Sequence, residues 1–292
     1  MTTTTTAYLS VSNNLSRYQA MTESEPAVKT ATAYYEANIG KVTSIADFVG
    51  NYRLLSYALQ AYGLGDQINA KALITKVLEG GVTSSNSLAN TLNDSRWKAF
   101  ATAFDFVGGG ASSVSSSSAI TATTNRYVEQ QLEADQGTTD VGVQLALYFQ
   151  REAPTVTNAY GILADPNLLE VAQTIFGLSP STGATDIDEQ AKVLSELIPI
   201  SDLQNPTKLQ QLTTRFTAMY DLTYGPASGS TTSLSATTNG VTTQSAATSI
   251  LSNVISSNGA TISASLSAFT GATTPLFSDS LMSSLQRIRL GG

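Results

Sequence analysis

The amino-acid sequence predicts an all-α protein with two pseudo-repeated bundles of short amphipathic helices, a Ser/Thr-rich C-terminal region and a terminal helix. Apolar residues recur three and four positions apart through most of residues 12–221, which is the spacing of one helix face. Capping residues such as Ser, Asp and Asn precede these stretches, and Gly follows several of them. A long part of this pattern also returns later in the chain, which indicates an internal duplication.

The first predicted helical repeat covers residues 23–106. Within it, Ser44 and Asp47 have the spacing of a capping box, in which each side chain satisfies free backbone N–H groups of a helix start. The apolar face that follows ends at Gly63, a residue type that favours the left-handed conformation after a helix. Trp97 lies on a further apolar face, so we expect it to be a core residue before any binding role.

Two segments flank this repeat. Residues 1–22 are expected to form a polar N-terminal segment, and residues 107–124 a Gly/Ser-rich linker between the repeats. The linker has no charged residue and little apolar surface to offset the entropy cost of ordering, so we expect it to be mobile. Its three glycines, 108–110, lack the Lys and the spacing of a phosphate-binding loop.

The second predicted helical repeat covers residues 125–221. Three stretches correspond in the same order, with identical or similar residues: 45–64 resembles 159–178, 71–80 resembles 191–200, and 93–104 resembles 205–216. Two unrelated amphipathic regions would also look partly alike. Because three successive helices correspond in order, the sequence favours a duplication.

The C-terminal part of the sequence holds the candidate partner-contact residues. Residues 222–278 are rich in Ser and Thr and contain no Asp, Glu, Lys or Arg, so they form either an interaction segment or a disordered polar tail. Residues 279–292 are predicted to form an amphipathic helix that buries its apolar stripe on its own domain or on a partner. The candidate contacts are the apolar residues at helical spacing in these two segments: Ile250, Leu251, Val254, Leu281, Leu285 and Ile288.

The composition excludes several classes of chemistry. The 292 residues contain no His and no Cys, which removes the Ser-His-Asp triad, the thiolate nucleophile and the common zinc sites. The net charge of −7, without any basic run, argues against a nucleic-acid partner. No apolar stretch is long enough to span a membrane, and no secretory signal pattern is present. We therefore predict no catalytic residue, cofactor, metal or small-molecule substrate.

Three carboxylates on one predicted helix, Glu129, Glu133 and Asp135, are the remaining candidates for acid–base chemistry. Glycoside hydrolysis needs a second carboxylate across a cleft, which the sequence does not indicate, so a solvated helix face is the favoured interpretation. A second acidic group, residues 186–189, lacks the alternation of a calcium loop and is expected to occupy the first turn of a helix.

The sequence resembles a known family of all-helical proteins of unassigned biochemical function, encoded among flagellar genes of alphaproteobacteria. The resemblance covers most of residues 8–220 and the last twenty residues. It is carried by Tyr34 and Tyr35, Asn38-Ile39-Gly40-Lys41, Ser44-Ile45-Ala46-Asp47-Phe48, Tyr52-Arg53-Leu54, Tyr57-Ala58, Ala61-Tyr62-Gly63-Leu64, residues 72–81 and Arg289-Leu290-Gly291-Gly292. It implies a role in flagellar assembly or structure, with no catalytic residues to carry over.

Together, these observations predict a non-enzymatic flagellar structural or assembly protein that acts through helix-face contacts. Its expected partners are other flagellar proteins or further copies of itself. Its expected location is the flagellum or the exterior, reached through flagellar export without a cleaved signal. Two alternatives stay open: a cytoplasmic flagellar assembly regulator or chaperone, and a carboxylate-dependent cell-wall hydrolase.

Overall fold

The computed structural model describes residues 3–178 and 186–225, and within these ranges the chain is helical, without strands. The all-α prediction is therefore confirmed for this part of the chain. Of the predicted segment 222–278, residues 222–224 end α16, whereas residues 226–278 and the predicted terminal helix 279–292 lie outside the described part. In chain order the α-helices are α1 (Thr4–Ser12), α2 (Leu15–Ser24), α3 (Pro26–Ile39), α4 (Ile45–Gly50), α5 (Tyr52–Ala61), α6 (Lys71–Gly80), α7 (Leu88–Thr91), α8 (Ser95–Ala103), α9 (Gly110–Val114), α10 (Ser117–Gly137), α11 (Val141–Glu152), α12 (Ala159–Ala164), α13 (Pro166–Phe176), α14 (Ile187–Leu197), α15 (Ile200–Leu203) and α16 (Pro206–Tyr224).

The predicted capping signals position several of these helices. The hydroxyl of Ser44 accepts a hydrogen bond from the backbone N–H of Asp47 at 3.0 Å, as the capping box requires. The Asp47 carboxylate accepts in turn from the backbone N–H of Thr43 at 3.2 Å and from the Thr43 hydroxyl. In a standard capping box the backbone donor would be the cap residue itself, Ser44, so this hydrogen bond is shifted by one residue. Gly63 has a φ of +67°, so the left-handed conformation expected after α5 is confirmed.

Helices occupy both of the segments that flank the first predicted repeat. Residues 1–22, expected to be a polar segment, contain α1 and most of α2, and the linker predicted for 107–124 contains α9 and the start of α10. The hydroxyl of Ser116 caps α10 by accepting from the N–H of Ala119 at 3.2 Å. Val114 is fully buried. The few apolar residues of this Ser-rich stretch thus bury enough surface to order it, which composition alone did not indicate.

The apolar core has two parts. The first core is built mainly by α3 to α8, the first half of the chain, and is centred on aromatic side chains. Phe48 stacks on Phe104 with ring centroids 4.8 Å apart, and Trp97 meets Phe100 edge to face. The second core is built mainly by α11 to α16, the second half, around Ile175 and Phe216. Trp97 is 5% exposed, so its assignment to the core is confirmed.

Each core also receives side chains from a helix outside its half. Val114 of α9 and Tyr127 of α10 are buried in the first core, although both helices immediately precede the second half. Tyr8 and Val11 of α1 are buried in the second core, although α1 precedes the first half. Helices α9 and α10, which precede the second half, thus complete the first core, and α1, which precedes the first half, completes the second core.

Two pairs of short helices, α4 with α5 and α12 with α13, begin and end in similar ways. Ser44 caps α4, and Asn158 caps α12 in the same way, by accepting from the N–H three residues ahead. Gly177, with a φ of +63°, follows α13 as Gly63 follows α5. Ala58 and Ala172 occupy matching positions on α5 and α13 and are both fully buried.

Candidate functional site

A buried layer of charged side chains lies where the helices of the two halves meet. Its members come from the start of α8, from α10, from α11 and from the start of α13. We call it the charged layer; it consists of Asp94, Arg96, Arg126, Glu133, Tyr148, Arg151, Glu152 and Asp165. Charged groups are seldom buried unless they are paired, so this layer is the most specialised polar feature of the described residues.

Arg96 connects the first half to the second. Its guanidinium group donates to the Asp94 carboxylate at 2.8 and 3.0 Å and to the carbonyl oxygen of Gly63 at 3.0 Å. Its Nε atom also lies 3.4 Å from Oδ2 of Asp165, the residue that caps α13. The hydroxyl of Tyr148 donates to that same carboxylate. One arginine thus holds the start of α8, the turn after α5 and the start of α13 together.

Arg151 forms the second centre of the charged layer. Its Nε and Nη2 atoms donate to the two carboxylate oxygens of Glu133 at 2.7 and 3.0 Å, which is the bidentate geometry of strong arginine–carboxylate pairs. Its Nη1 atom donates to Glu152, and Nη1 of Arg126 lies 3.4 Å from the same carboxylate. Two glutamates and two arginines therefore join α10 to α11.

Burial shifts the titration of Glu133, Asp165 and Tyr148. It raises the pKa of Glu133 and of Asp165, while the neighbouring arginines Arg151 and Arg96 oppose the shift by stabilising the ionised carboxylates. Burial and the adjacent Asp165 carboxylate raise the pKa of Tyr148. These carboxylates already accept hydrogen bonds from arginine or tyrosine, so the arrangement is suited to holding helices together rather than to exchanging protons with a substrate.

A groove of about 360 Å³ opens beside the charged layer, at the side chain of Arg126. Its lining combines small apolar residues, hydroxyl groups and two cations, with no carboxylate: Tyr62, Ser95, Lys98, Ala99, Thr102, Ala103, Arg126 and Thr155. The Arg126 guanidinium lies over the Tyr62 ring at 4.9 Å from its centroid. Such a lining favours an acidic side chain over a basic one.

The structure corrects the interpretation of the three candidate carboxylates. A solvated helix face was the favoured explanation, but Glu133 is 4% exposed and is paired with Arg151. Glu129 is partly exposed and accepts a hydrogen bond from Gln19 at 3.4 Å. Asp135 lies further along α10 and is not part of the charged layer. Glu133 differs from the other two carboxylates in its burial, because the face of α10 that carries it packs on α11.

The other sequence-based predictions have separate outcomes. Asp188 and Glu189 lie in the first turn of α14 behind the cap Asp186, as expected. The candidate contacts Ile250, Leu251, Val254, Leu281, Leu285 and Ile288 lie outside the described residues. Within residues 3–178 and 186–225, no group of three or more acidic side chains is placed to hold a metal ion. No helix of the same ranges is long and apolar enough to cross a membrane.

Sequence reasoning missed most of the charged layer. Arg96, Arg151 and Asp165 were not singled out, although Arg151 and Glu152 follow the strongly apolar run 145–149 after a single residue, Gln150. A charge at a position that continues an apolar helix face is the available signal, because such a residue must be buried with a partner or distort the packing. Which residue is the partner depends on contacts between distant parts of the chain.

These features define a class: an all-helical protein whose two apolar cores meet at a buried layer of arginine–carboxylate pairs. A family model described as "Protein of unknown function (DUF1217)" matches residues 61–209, and the chain belongs to this family. The chain is also similar to the crystal structure of protein AGR_C_984 from Agrobacterium tumefaciens, with a TM-score of 0.69 and 39% sequence identity over 75% of this chain and 93% of that one. Comparison with proteins of curated function finds no match.

Proposed function

We propose that this protein is a non-enzymatic structural or assembly component of the bacterial flagellum that acts through contacts of its helix faces. The flagellar assignment rests on the resemblance of residues 8–220 to a family encoded among flagellar genes. The contact function rests on the observation that the buried carboxylates of the charged layer are already bonded to arginine or tyrosine side chains. A buried layer whose polar groups are bonded to one another makes the fold rigid, and the contacts with partners are then made by surface side chains.

The surface offers apolar side chains for such contacts. Tyr52, Ile187, Leu222 and Tyr224 are each about three-fifths exposed, at 62, 58, 59 and 61%. Two of them lie on the last turns of α16, where the described part of the chain approaches the uncharged Ser/Thr-rich segment. Large apolar side chains exposed on a polar surface favour protein–protein contacts.

We also propose that the two halves arose by internal duplication. A duplication would explain why Ser44 and Asn158 cap α4 and α12 alike, and why Gly63 and Gly177 follow α5 and α13. It further explains why Ala58 and Ala172 are buried alike. Duplicated halves with one common packing pattern would give a scaffold two related surfaces for partners.

The alternatives make different use of the same features. A cytoplasmic assembly regulator or chaperone would use the same exposed helix faces on a subunit that has not been exported. A cell-wall hydrolase acting through Glu129 and Glu133 would need one protonated and one ionised carboxyl group at a cleft. The bidentate pair of Glu133 with Arg151 opposes this third function.

Cell fractionation tests the flagellar proposal. We expect the intact protein in sheared filament and hook fractions of a motile strain, and not in those fractions when flagellar export is blocked. A protein found only in the cytoplasm of both strains would overturn the exported role. If it then co-purified with an unexported flagellar subunit, the regulator or chaperone would replace it.

A surface variant tests the contact mechanism. Leu222→Ser removes an exposed apolar side chain and should leave the fold intact while reducing incorporation into the flagellar fraction. Thr223→Ala, at an exposed polar position of the same turn, is the matched control and should incorporate normally. Equal incorporation of both variants would show that this face of α16 makes no contact.

A further inference from the structure

Helix α1 packs against α11 and α16 of the second half, at a binding site that we call the seat. Its anchors are Tyr8 and Val11, 0 and 2% exposed, which lie in the second core against α11 and α16. The Tyr8 hydroxyl donates to Oε1 of Gln150 on α11 at 2.9 Å. The seat therefore binds α1 through two buried apolar side chains and one side-chain hydrogen bond.

Carboxylates complete the seat at the N-terminus of α1. The backbone N–H groups of Thr4 and Thr5 donate to the two oxygens of Asp221 on α16 at 2.7 and 3.2 Å. The Thr4 hydroxyl donates to Asp140 at 2.9 Å, and the Thr5 hydroxyl donates to Thr217 at 3.1 Å. The free N–H groups and positive end of a helix dipole are thus bound by an acidic side chain of the second half.

The helical path of the chain is interrupted between α1 and α2. Asn13 and Asn14 separate the two helices, and Asn14 has the non-helical angles φ −130° and ψ 30°. Helix α10, which leads into the second half as α1 and α2 lead into the first, runs through 21 residues without a break. Straightening the link would therefore give α1 and α2 the form of α10 and lift α1 from its seat.

We propose that α1 is an exchangeable element: the seat on α11 and α16 of one copy of this chain receives α1 of a second copy. The contacts are the same in both arrangements, so exchange costs little enthalpy and is favoured by high local concentration. Reciprocal exchange gives a dimer. Successive exchange gives a head-to-tail assembly, because each donor leaves its own seat for the next copy. This inference names a partner for the contact function proposed above and rests on that part of it.

The absence of native cysteine makes a direct test possible. One chain carries Thr5→Cys and another carries Thr217→Cys, at the two positions whose hydroxyl oxygens lie 3.1 Å apart in the seat. The purified full-length chains are mixed at high concentration, incubated, oxidised and separated on a non-reducing gel. Only exchange between copies brings these two cysteines together, since neither chain can form the bond alone.

The matched control replaces Thr5→Cys by Thr6→Cys, at the exposed neighbouring position of α1. We expect a disulfide heterodimer at least about tenfold more abundant with Thr5→Cys than with the control, because the bond needs Cα atoms within about 7 Å. A chain that carries both Thr5→Cys and Thr217→Cys should close an internal bond in dilute solution. That closure confirms the seat and shows that the variants fold.

Equal heterodimer yields in the test and control mixtures, with the internal bond of the double variant intact, would overturn the exchange. The double change Asn13→Ala and Asn14→Ala, made in the chain that carries Thr5→Cys, tests the link as the hinge. Ala favours a continuous helix, so this change should raise the heterodimer yield. An unchanged or lower yield would count against the link as the hinge. This experiment uses purified protein, so its failure leaves the fractionation result standing, and the reverse also holds.

Discussion

Replacement of Arg151 by methionine is the sharpest test of the charged layer. Arg151 is 14% exposed and neutralises Glu133 and Glu152, whose side chains are 6 and 2% exposed. Methionine keeps much of the aliphatic length but removes the guanidinium group. Two buried carboxylates then face each other across α10 and α11, with only Arg126 left nearby.

The expected loss in unfolding free energy near neutral pH is about 3–5 kcal/mol, the usual cost of leaving a buried charge without its partner. Loss of the arginine also removes the main opposition to the burial that raises the pKa of Glu133. The carboxyl group then binds a proton more readily in the folded chain than in the unfolded chain. The loss should therefore shrink as the pH falls towards the ordinary value of 4.5.

Urea unfolding followed by far-ultraviolet circular dichroism measures this loss directly, because the described chain is helical. Arg17→Met, at an exposed position of α2, is the control and should change the unfolding free energy by less than about 0.5 kcal/mol. The double variant Glu133→Leu with Arg151→Met should lose less than the single variant, since it removes one of the stranded charges. A single-variant loss below about 1 kcal/mol, or a loss independent of pH, would refute the reasoning.

Three further predictions concern the core, the layer and a turn. Trp97→Ala should cost about 3–5 kcal/mol by chemical denaturation, and a loss below about 1 kcal/mol would place Trp97 outside the core. Burial raises the pKa of Asp165 above 3.8, so from neutral pH downward the wild type should gain unfolding free energy relative to Asp165→Asn; a difference constant with pH would contradict this. Gly177→Ala should cost about 1–2 kcal/mol from backbone strain alone, since no atom lies within 4 Å of the new methyl group and φ is +63°. Thermal melts of the two variants measure this loss. Gly50→Ala, with equally open surroundings, is the control and should show no such loss.

Local signals in the sequence predicted most of the helices. Ser44, Gly63 and Asp186 act within one turn of their own helix, so their effect depends on spacing along the chain and not on distant partners. The same local reasoning failed at Ser116 and Val114. A Ser-rich composition predicted a linker there, but burial of a few apolar side chains in the first core orders the helix.

The candidate site was less predictable than the helices. Glu133 was recognised as a carboxylate on a helix, but its burial and its bidentate bond to Arg151 follow from the packing of α10 on α11. Asp165 was recognisable as a helix cap. Its second role, as the partner of Arg96 in the first half, joins residues far apart in the sequence.

From residue types and spacings alone we could predict that the described part of the chain is helical, that Ser44, Gly63 and Asp186 flank helices, and that imidazole and thiol chemistry is absent. These properties depend on residue types and on spacings of three and four positions. Contacts between distant helices determine that α1 completes the second core and that the buried charges meet in one layer. Those outcomes depend on which helix faces come together, and helical periodicity shows that a face is apolar without identifying the face that covers it.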